Sequence, residues 1–226
     1  MDVEGNKILI TGGATGIGLE LAKIFAKDNE IYICGRRKEK LDEAKKILPS
    51  IHIKVADVRN PKEIMEWAKD INILINNAGI QKPLDLKHPD FEEIDINLKA
   101  PIELSALFIP LLTDKDSAIM NVTSGLAFVP ISRMPIYCAT KAAMHSYTLS
   151  LRHQLKDTRI KVFEIIPPTV DTDLGQRKSR MGIPPDIIAK ATLEAMKNDQ
   201  YEIAIEQANN LKDPNKFQEN FNRMNQ

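Results

Sequence analysis

Tyr137 and Lys141 lie four residues apart in Tyr137-Cys138-Ala139-Thr140-Lys141, inside a stretch of helical periodicity. At that spacing two side chains share one face of a helix. An ammonium beside a phenol favours the phenolate, lowering a pKa that is ~10 when unperturbed. Such a tyrosine can pass a proton to or from a substrate oxygen near neutral pH. Taken alone, the spacing is common and usually describes two surface residues; its context decides. Thirteen residues upstream, Ser124 ends a strand pattern in Asn121-Val122-Thr123-Ser124-Gly125, where its hydroxyl can bond the same oxygen. Asn97, in Asp95-Ile96-Asn97-Leu98, interrupts a long helical pattern. Asparagine is a poor helix former, so a local reason for it is expected.

A second group of residues suits a phosphate. Thr11-Gly12-Gly13-Ala14-Thr15-Gly16-Ile17-Gly18 follows an apolar strand and precedes a helix. Gly12 can make the tight turn, Gly16 can let the backbone approach a pyrophosphate, and Gly18 can let the helix pack closely on the sheet. The N–H groups of that helix then face the anion, with Thr15 and Ile17 flanking the approach. A helix-capping loop is the plainer explanation, and the position between strand and helix argues against it. The next strand ends Ile33-Cys34-Gly35-Arg36-Arg37. An acidic residue at Gly35 would suit the ribose 2′-hydroxyl of NAD; two arginines suit a 2′-phosphate, which favours NADP(H) with NAD(H) as the alternative. The competing reading is a solvated Arg-Arg pair opening the next helix.

These residues need a frame to hold them. Apolar runs at Lys7–Ile10, Ile31–Cys34, Ile51–Ala56, Ile73–Ile75, Ala118–Val122, Lys161–Ile166 and Tyr201–Ile205 alternate with helical patterns. The helices are expected over Ile17–Lys27, Glu39–Leu48, Pro61–Lys69, Phe91–Leu112 and Pro135–Asp157. Near-continuous apolar strands alternating with helices imply an α/β parallel sheet covered on both faces, with ligands at the carboxyl ends of the strands. Residues 1–226 read as a single domain. Within it, 171–199 is expected to be a substrate lid and 213–226 a tail helix that docks on its own core or on a partner subunit.

The chain has 226 residues, 43% apolar and 27% charged, with 31 Lys and Arg against 31 Asp and Glu. Zero formal charge does not suit a protein that grips nucleic acid by neutralising phosphates. No apolar run reaches the ~18–20 residues that cross a bilayer, and the opening MDVEGNK does not read as a secretory leader. A cytoplasmic protein with no membrane and no nucleic-acid partner is expected. Two cysteines, Cys34 and Cys138, build no disulfide scaffold. The histidines His52, His88, His145 and His153 show no metal-binding spacing, and His145 and His153 read as helix surface. No metal is expected. Cys138 reads as a packed thiol, and the surroundings of Ser124 are not those of a serine hydrolase.

Together, Thr11-(x)3-Gly16-x-Gly18, Asn76-Asn77-Ala78-Gly79, Asn97, Ser124 and Tyr137-x-x-x-Lys141 resemble the short-chain dehydrogenase/reductase family over about residues 5–205. The run Ile165 to Leu174 is most similar to the DltE-type oxidoreductases within it. The resemblance implies a Rossmann fold, a doubly wound seven-stranded parallel sheet of order 3-2-1-4-5-6-7. It implies that Tyr137 is general acid or base, and that Ser124 steadies the substrate oxygen. Lys141 would bind the nicotinamide ribose, and Asn97 would hold a proton-relaying water. It further implies that Asp57 and Val58 meet adenine, that Asn77, Ala78 and Gly79 line the adenosine ribose, and that Pro167, Val170 and Thr172 lie near the carboxamide. Pro168 replaces the usual glycine, so the turn there must differ.

The expected activity is interconversion of a small-molecule carbonyl and a secondary alcohol. An NAD-dependent alcohol dehydrogenase and a 3-oxoacyl thioester reductase are the nearest alternatives, and a non-catalytic dinucleotide-binding redox sensor is a more distant one. Leu126, Ala127, Phe128 and Val129 are expected to line an apolar substrate pocket. Arg177, Lys178 and Arg180 are expected either to be solvated or to meet an acidic substrate group or the cofactor phosphates. A homodimer through the long helices is expected, with a tetramer as the alternative.

Overall fold

The structure is a computed structural model that describes residues 1–85, 87–112, 116–172, 174, 182–205 and 207–226. Strand β1 (Lys7–Thr11) leads through a glycine turn into α1 (Gly16–Phe25), then β2 (Glu30–Gly35), α2 (Lys38–Ile47), β3 (His52–Val55), α3 (Pro61–Trp67) and β4 (Ile73–Asn76). The second half runs α4 (Glu92–Ile94), α5 (Ala100–Phe108), β5 (Ser117–Val122), α6 (Pro135–Gln154), β6 (Ile160–Ile166), α7 (Pro185–Lys197) and β7 (Glu202–Ala204). Helices α8 (Gln207–Lys212) and α9 (Phe217–Asn225) follow. All seven strands are parallel, in the order β3-β2-β1-β4-β5-β6-β7. This is the doubly wound Rossmann arrangement, and its order reverses between β1 and β4.

Strand alternation explains why both faces need covering. Ile8 and Ile10 join one apolar layer with Phe25, Met120 and Phe163, while Leu9, between them, joins the other with Leu74, Phe108 and Ile119. The first layer is closed by α1 and α7, the second by α5 and α6. Helix α7 corrects the expected lid: residues Pro185–Lys197 bury Ile188 and Met196 completely in the core. Apolar positions at helical spacing make this segment structural. Residues 173 and 175–181, with Arg177, Lys178 and Arg180, lie outside the described residues.

The expected helix Phe91–Leu112 is in fact broken. Between α4 and α5 runs a π turn, Asp95–Lys99, and a 3-10 turn, Ile109–Leu111, ends the run. Pro101 explains the first break, because it has no N–H to offer the carbonyl of Asn97 four residues back. The chain widens there instead of continuing as an α-helix. Pro110 does the same near the end. The tail turns back on its own chain: Leu211 lies against Gly125, and Asn225 accepts from the Ser132 N–H and donates to the Pro130 carbonyl.

Phe163 is wholly buried in β6. Phe163→Ala should lower unfolding free energy by about 3–5 kcal/mol, read from the shift of a urea midpoint; a change below about 1 kcal/mol would contradict this packing.

Candidate active site

The glycine turn is tied to the start of the β4 exit by one hydroxyl. Thr11 Oγ accepts from the N–H groups of Asn77 at 3.1 Å and Ala78 at 3.0 Å. In return, Asn77 Nδ2 donates to the carbonyls of Thr11 at 2.9 Å and Gly12 at 3.2 Å. Gly12 has φ +65° and Gly16 φ +54°, a region that disfavours side chains. A Cβ on Gly18 would stand 2.5 Å from both the Gly12 carbonyl and Asn77 Nδ2. Gly18 therefore serves packing, while Thr15, Gly16 and Ile17 open onto a cavity of about 470 Å³. Thr15 is extended and makes no side-chain cap, so the N-terminal N–H groups of α1, which border that cavity, are not taken by the Thr15 hydroxyl.

Most of the expected cofactor residues line this one cavity. Gly12 and the α1 opening form one wall, Arg36 and Arg37 its rim, Val58 with Asn77, Ala78 and Gly79 its floor, and Pro167 and Thr172 its far side. Tyr137 and Lys141 close one end. Three expected residues stand off the wall. Gly18 packs as described, Asp57 is clamped by the Arg59 guanidinium at 2.6–3.1 Å, and Val170 bridges to Ile183 and packs on the core. The bonds from Arg59 hold the Asp57 carboxyl below the usual range.

At the far end, helix α6 sets Tyr137 and Lys141 one turn apart, both nearly out of solvent. Lys141 Nζ donates to the Val122 carbonyl at 2.7 Å and lies 5.7 Å from the centre of the Tyr137 ring. Burial lowers the lysine to about 8. Burial raises the Tyr137 phenol to about 12, against a smaller opposing pull from its hydrogen bond with Ser124. The sequence suggests a phenol made more acidic by its neighbour; in the structure desolvation dominates the phenol, and the ammonium donates to the Val122 carbonyl. At neutral pH the pair is therefore a phenol beside a largely protonated amine.

Ser124 is extended and caps the short turn Gly125–Ala127, accepting from the Leu126 N–H at 3.1 Å. Asn97 sits within the π turn. Its side chain accepts from the Ile80 N–H and donates to the Ile80 carbonyl, both at 2.8 Å, and donates to Thr140 Oγ at 3.3 Å. It thus fastens the β4 exit to α6, and Gly79 fits between Asn97 and Lys141.

Other residues differ from their reading. His145 is not helix surface: its Nδ1 stands 2.9 Å from both oxygens of Glu164, a fully buried carboxylate that also accepts from Thr123 Oγ at 2.6 Å. Phe128 meets His145 edge-on, and Val129 is buried. Leu126 packs with Ile131, Met134 and Met224 around Tyr137 and Cys138. Cys138 is a buried thiol, as expected, pushed up by burial. Lys40, Ile80, Gln81 and Lys82 also line the cavity. Lys40 lies three residues past the Arg37 cap of α2, a spacing that would have found it; no local pattern marks Lys82. Among the described residues no group of three or more His, Cys, Asp or Glu is placed to hold a metal ion, and no helix is long and apolar enough to cross a membrane.

The glycine turn on β1, the Tyr137–Lys141 pair and the strand order define the class: residues 6–182 match the short chain dehydrogenase family model, and the chain belongs to that family of oxidoreductases. It is 47% identical to the uncharacterized oxidoreductase DltE of Bacillus subtilis strain 168, over 94% of this chain and 93% of that one. A short chain dehydrogenase of Burkholderia cenocepacia J2315, solved in complex with NADP, superposes with a TM-score of 0.83 at 27% identity, covering 93% of this chain and 92% of that one. A short chain dehydrogenase/reductase of Burkholderia phymatum, in complex with NAD, gives 0.83 at 20% identity over 90% and 89% of the two chains.

Gly18→Ala should cost about 1–3 kcal/mol through overpacking against the Gly12 carbonyl, measured by denaturant unfolding; unchanged stability would mean that α1 can shift freely.

Proposed function

We propose that the chain is an NADP(H)-preferring oxidoreductase that interconverts a carbonyl and a secondary alcohol, with Tyr137 as general acid and base. One observation carries this reading. A single cavity has Arg36, Arg37 and Lys40 on its rim and the buried Tyr137–Lys141 pair at its end, with Ser124 hydrogen-bonded to the phenol. The positive φ of Gly12 and Gly16, where Cβ atoms would crowd Ala78 and Thr172, fits a diphosphate laid against backbone. Bound there, the nicotinamide dinucleotide supplies or accepts the hydride.

The chain's own residues do the rest. Arg36 and Arg37 offer guanidinium forks to a 2′-phosphate, which Gly35 leaves room for in place of an acidic side chain. Val58, Ala78 and Gly79 hold the adenosine, and Lys141 holds the nicotinamide ribose. Pro167, Val170 and Thr172 meet the carboxamide side, and Asp57, beside Val58, stands at the adenine end. Ser124 orients the substrate oxygen, and Asn97 keeps Lys141 and the β4 exit in place for proton exchange. A phenol raised by burial is a proton donor at rest, which suits carbonyl reduction. In the reverse direction the charged Lys141 must favour the phenolate as the alcohol gives up its proton. The similar protein at 27% identity binds NADP, which supports a dinucleotide at this site. NAD(H) is the second cofactor reading, favoured by the Arg36–Glu92 ion pair described below.

The substrate is a small carbonyl or alcohol with an apolar portion, because Leu126, Met134 and Met224 surround Tyr137. We place the enzyme in the cytoplasm. The long helix α6, on which Leu149 is exposed, and the end of the α5 region, where Leu111 is exposed, are assigned to a homodimer contact.

Tyr137→Phe should lower turnover by about 10²–10⁴-fold while NADPH affinity stays within about twofold. Consumption of NADPH, followed by its near-ultraviolet absorbance over a panel of ketones, aldehydes and 3-oxoacyl thioesters, reads this. Retained turnover would remove Tyr137 from the chemistry, and binding without turnover in the parent would favour a sensor. Arg36→Asp, combined with Arg37→Ala, should move the NADPH-to-NADH preference toward NADH by about ten- to a hundredfold; an unchanged ratio would refute the 2′-phosphate assignment.

A further inference from the structure

Arg36 does not stand free at the cavity rim. Its Nη1 donates to Glu92 Oε1 at 3.0 Å across 56 residues of sequence. The other oxygen, Oε2, accepts from Lys82 Nζ at 2.7 Å, and Arg59 Nη1 stands 3.7 Å from Oε1. Lys82 also pairs with Asp90, and Arg59 clamps Asp57. One carboxylate thus gathers cations from the turns after β2, β3 and β4, and two of its partners, Arg36 and Lys82, line the cavity. The six groups balance as three cations, Arg36, Arg59 and Lys82, against three carboxylates, Glu92, Asp57 and Asp90.

We infer that Glu92 is a specificity-determining residue for the cofactor, competing with the 2′-phosphate for Arg36 and restraining the preference for NADP(H). This rests on the reading of the cavity as a dinucleotide site with Arg36 at the 2′-phosphate. The bonds from Lys82 and Arg36 hold the Glu92 carboxyl below its usual range, so it presents a full charge beside Arg36. A phosphate monoester arriving with nearly two negative charges meets that charge directly and finds Arg36 already paired. The ion pair is half-exposed and therefore weak enough to exchange. The phosphate offers several acceptor oxygens, so it can displace the carboxylate, but only against the pair and the added repulsion. A cofactor with a free 2′-hydroxyl leaves the pair intact and meets neither penalty. Arg37 differs, because its Nη2 donates to the neutral Thr15 hydroxyl at 3.3 Å.

Glu92→Gln keeps the size and the acceptor oxygen while removing the charge. In titrations followed by the fluorescence of bound NADPH and NADH at fixed ionic strength, it should tighten NADPH by about three- to tenfold and leave NADH within about twofold. The gain should shrink at high salt. In an Arg36→Ala background the same substitution should change NADPH affinity by less than about twofold. A ratio that stays put or falls, an equal tightening of both cofactors, or a gain that persists without Arg36 would each overturn the inference. The parent protein separates the two readings. Tighter NADH than NADPH in the parent, with Glu92→Gln still shifting the ratio, would refute only the NADP(H) preference. Binding of neither dinucleotide would remove the cavity assignment, and this inference with it. A thermal melt of each variant checks that it is folded.

Discussion

Lys141 is a cation held almost entirely out of water, and the rest of the site is arranged around that cost. Taking an ammonium into the interior costs several kcal/mol unless its hydrogens are bonded. The Val122 carbonyl takes one of them, at the point where β5 ends and the chain turns toward Ser124. The Tyr137 ring covers another side. Strand β5 can offer that carbonyl because its preceding residues are locked to β4 and β6, with Asn76 opposite Asn121 and Val122 opposite Ile165. Asn76 and Asn121 reinforce the register with a side-chain bond of 2.9 Å, and Asn121 continues to Thr148 on α6. The helix bearing the tyrosine and the strand bearing the carbonyl are therefore fixed to each other by buried polar bonds as well as by packing.

That constraint divides the cavity by charge and solvent. One end is dry, with a phenol and an amine whose pKa values are both displaced by burial. The other end is crowded with exposed ion pairs, where Arg36, Lys40 and Lys82 meet carboxylates and Arg37 meets the Thr15 hydroxyl. Chemistry that depends on a single proton suits the first environment, where interactions are strong and few. Recognition of a mobile charged ligand suits the second, where pairs exchange at little cost.

Much of this was legible in the sequence where the cause is local. The glycine turn, the Tyr137–Lys141 spacing and the seven strands follow from residue types within a few positions of one another, and the structure reproduces their order. Asn97 shows a partial success: its poor helix propensity flagged an irregularity, and Pro101 explains why that irregularity is a wider turn. What escaped depends on distance along the chain. His145 and Glu164 lie 19 residues apart on different elements, and Arg36 and Glu92 lie 56 apart, so neither pairing leaves a periodic trace. The phenol's raised pKa escaped for a related reason, because spacing reveals a neighbouring charge but not the depth at which both groups are buried. Residues 185–197 were misplaced because a glycine- and proline-rich approach masked the helix that follows.

Helices α8 and α9 come after every strand in chain order, yet they lie on the loop that begins at Ser124 and bring Met224 to the cluster around Tyr137. The sheet is therefore complete in chain order by Ala204, before the residues that pack beside Tyr137. The cluster around Tyr137 is thus completed by the last residues of the chain rather than by the sheet, so its shape can vary with the tail while the strand order stays the same.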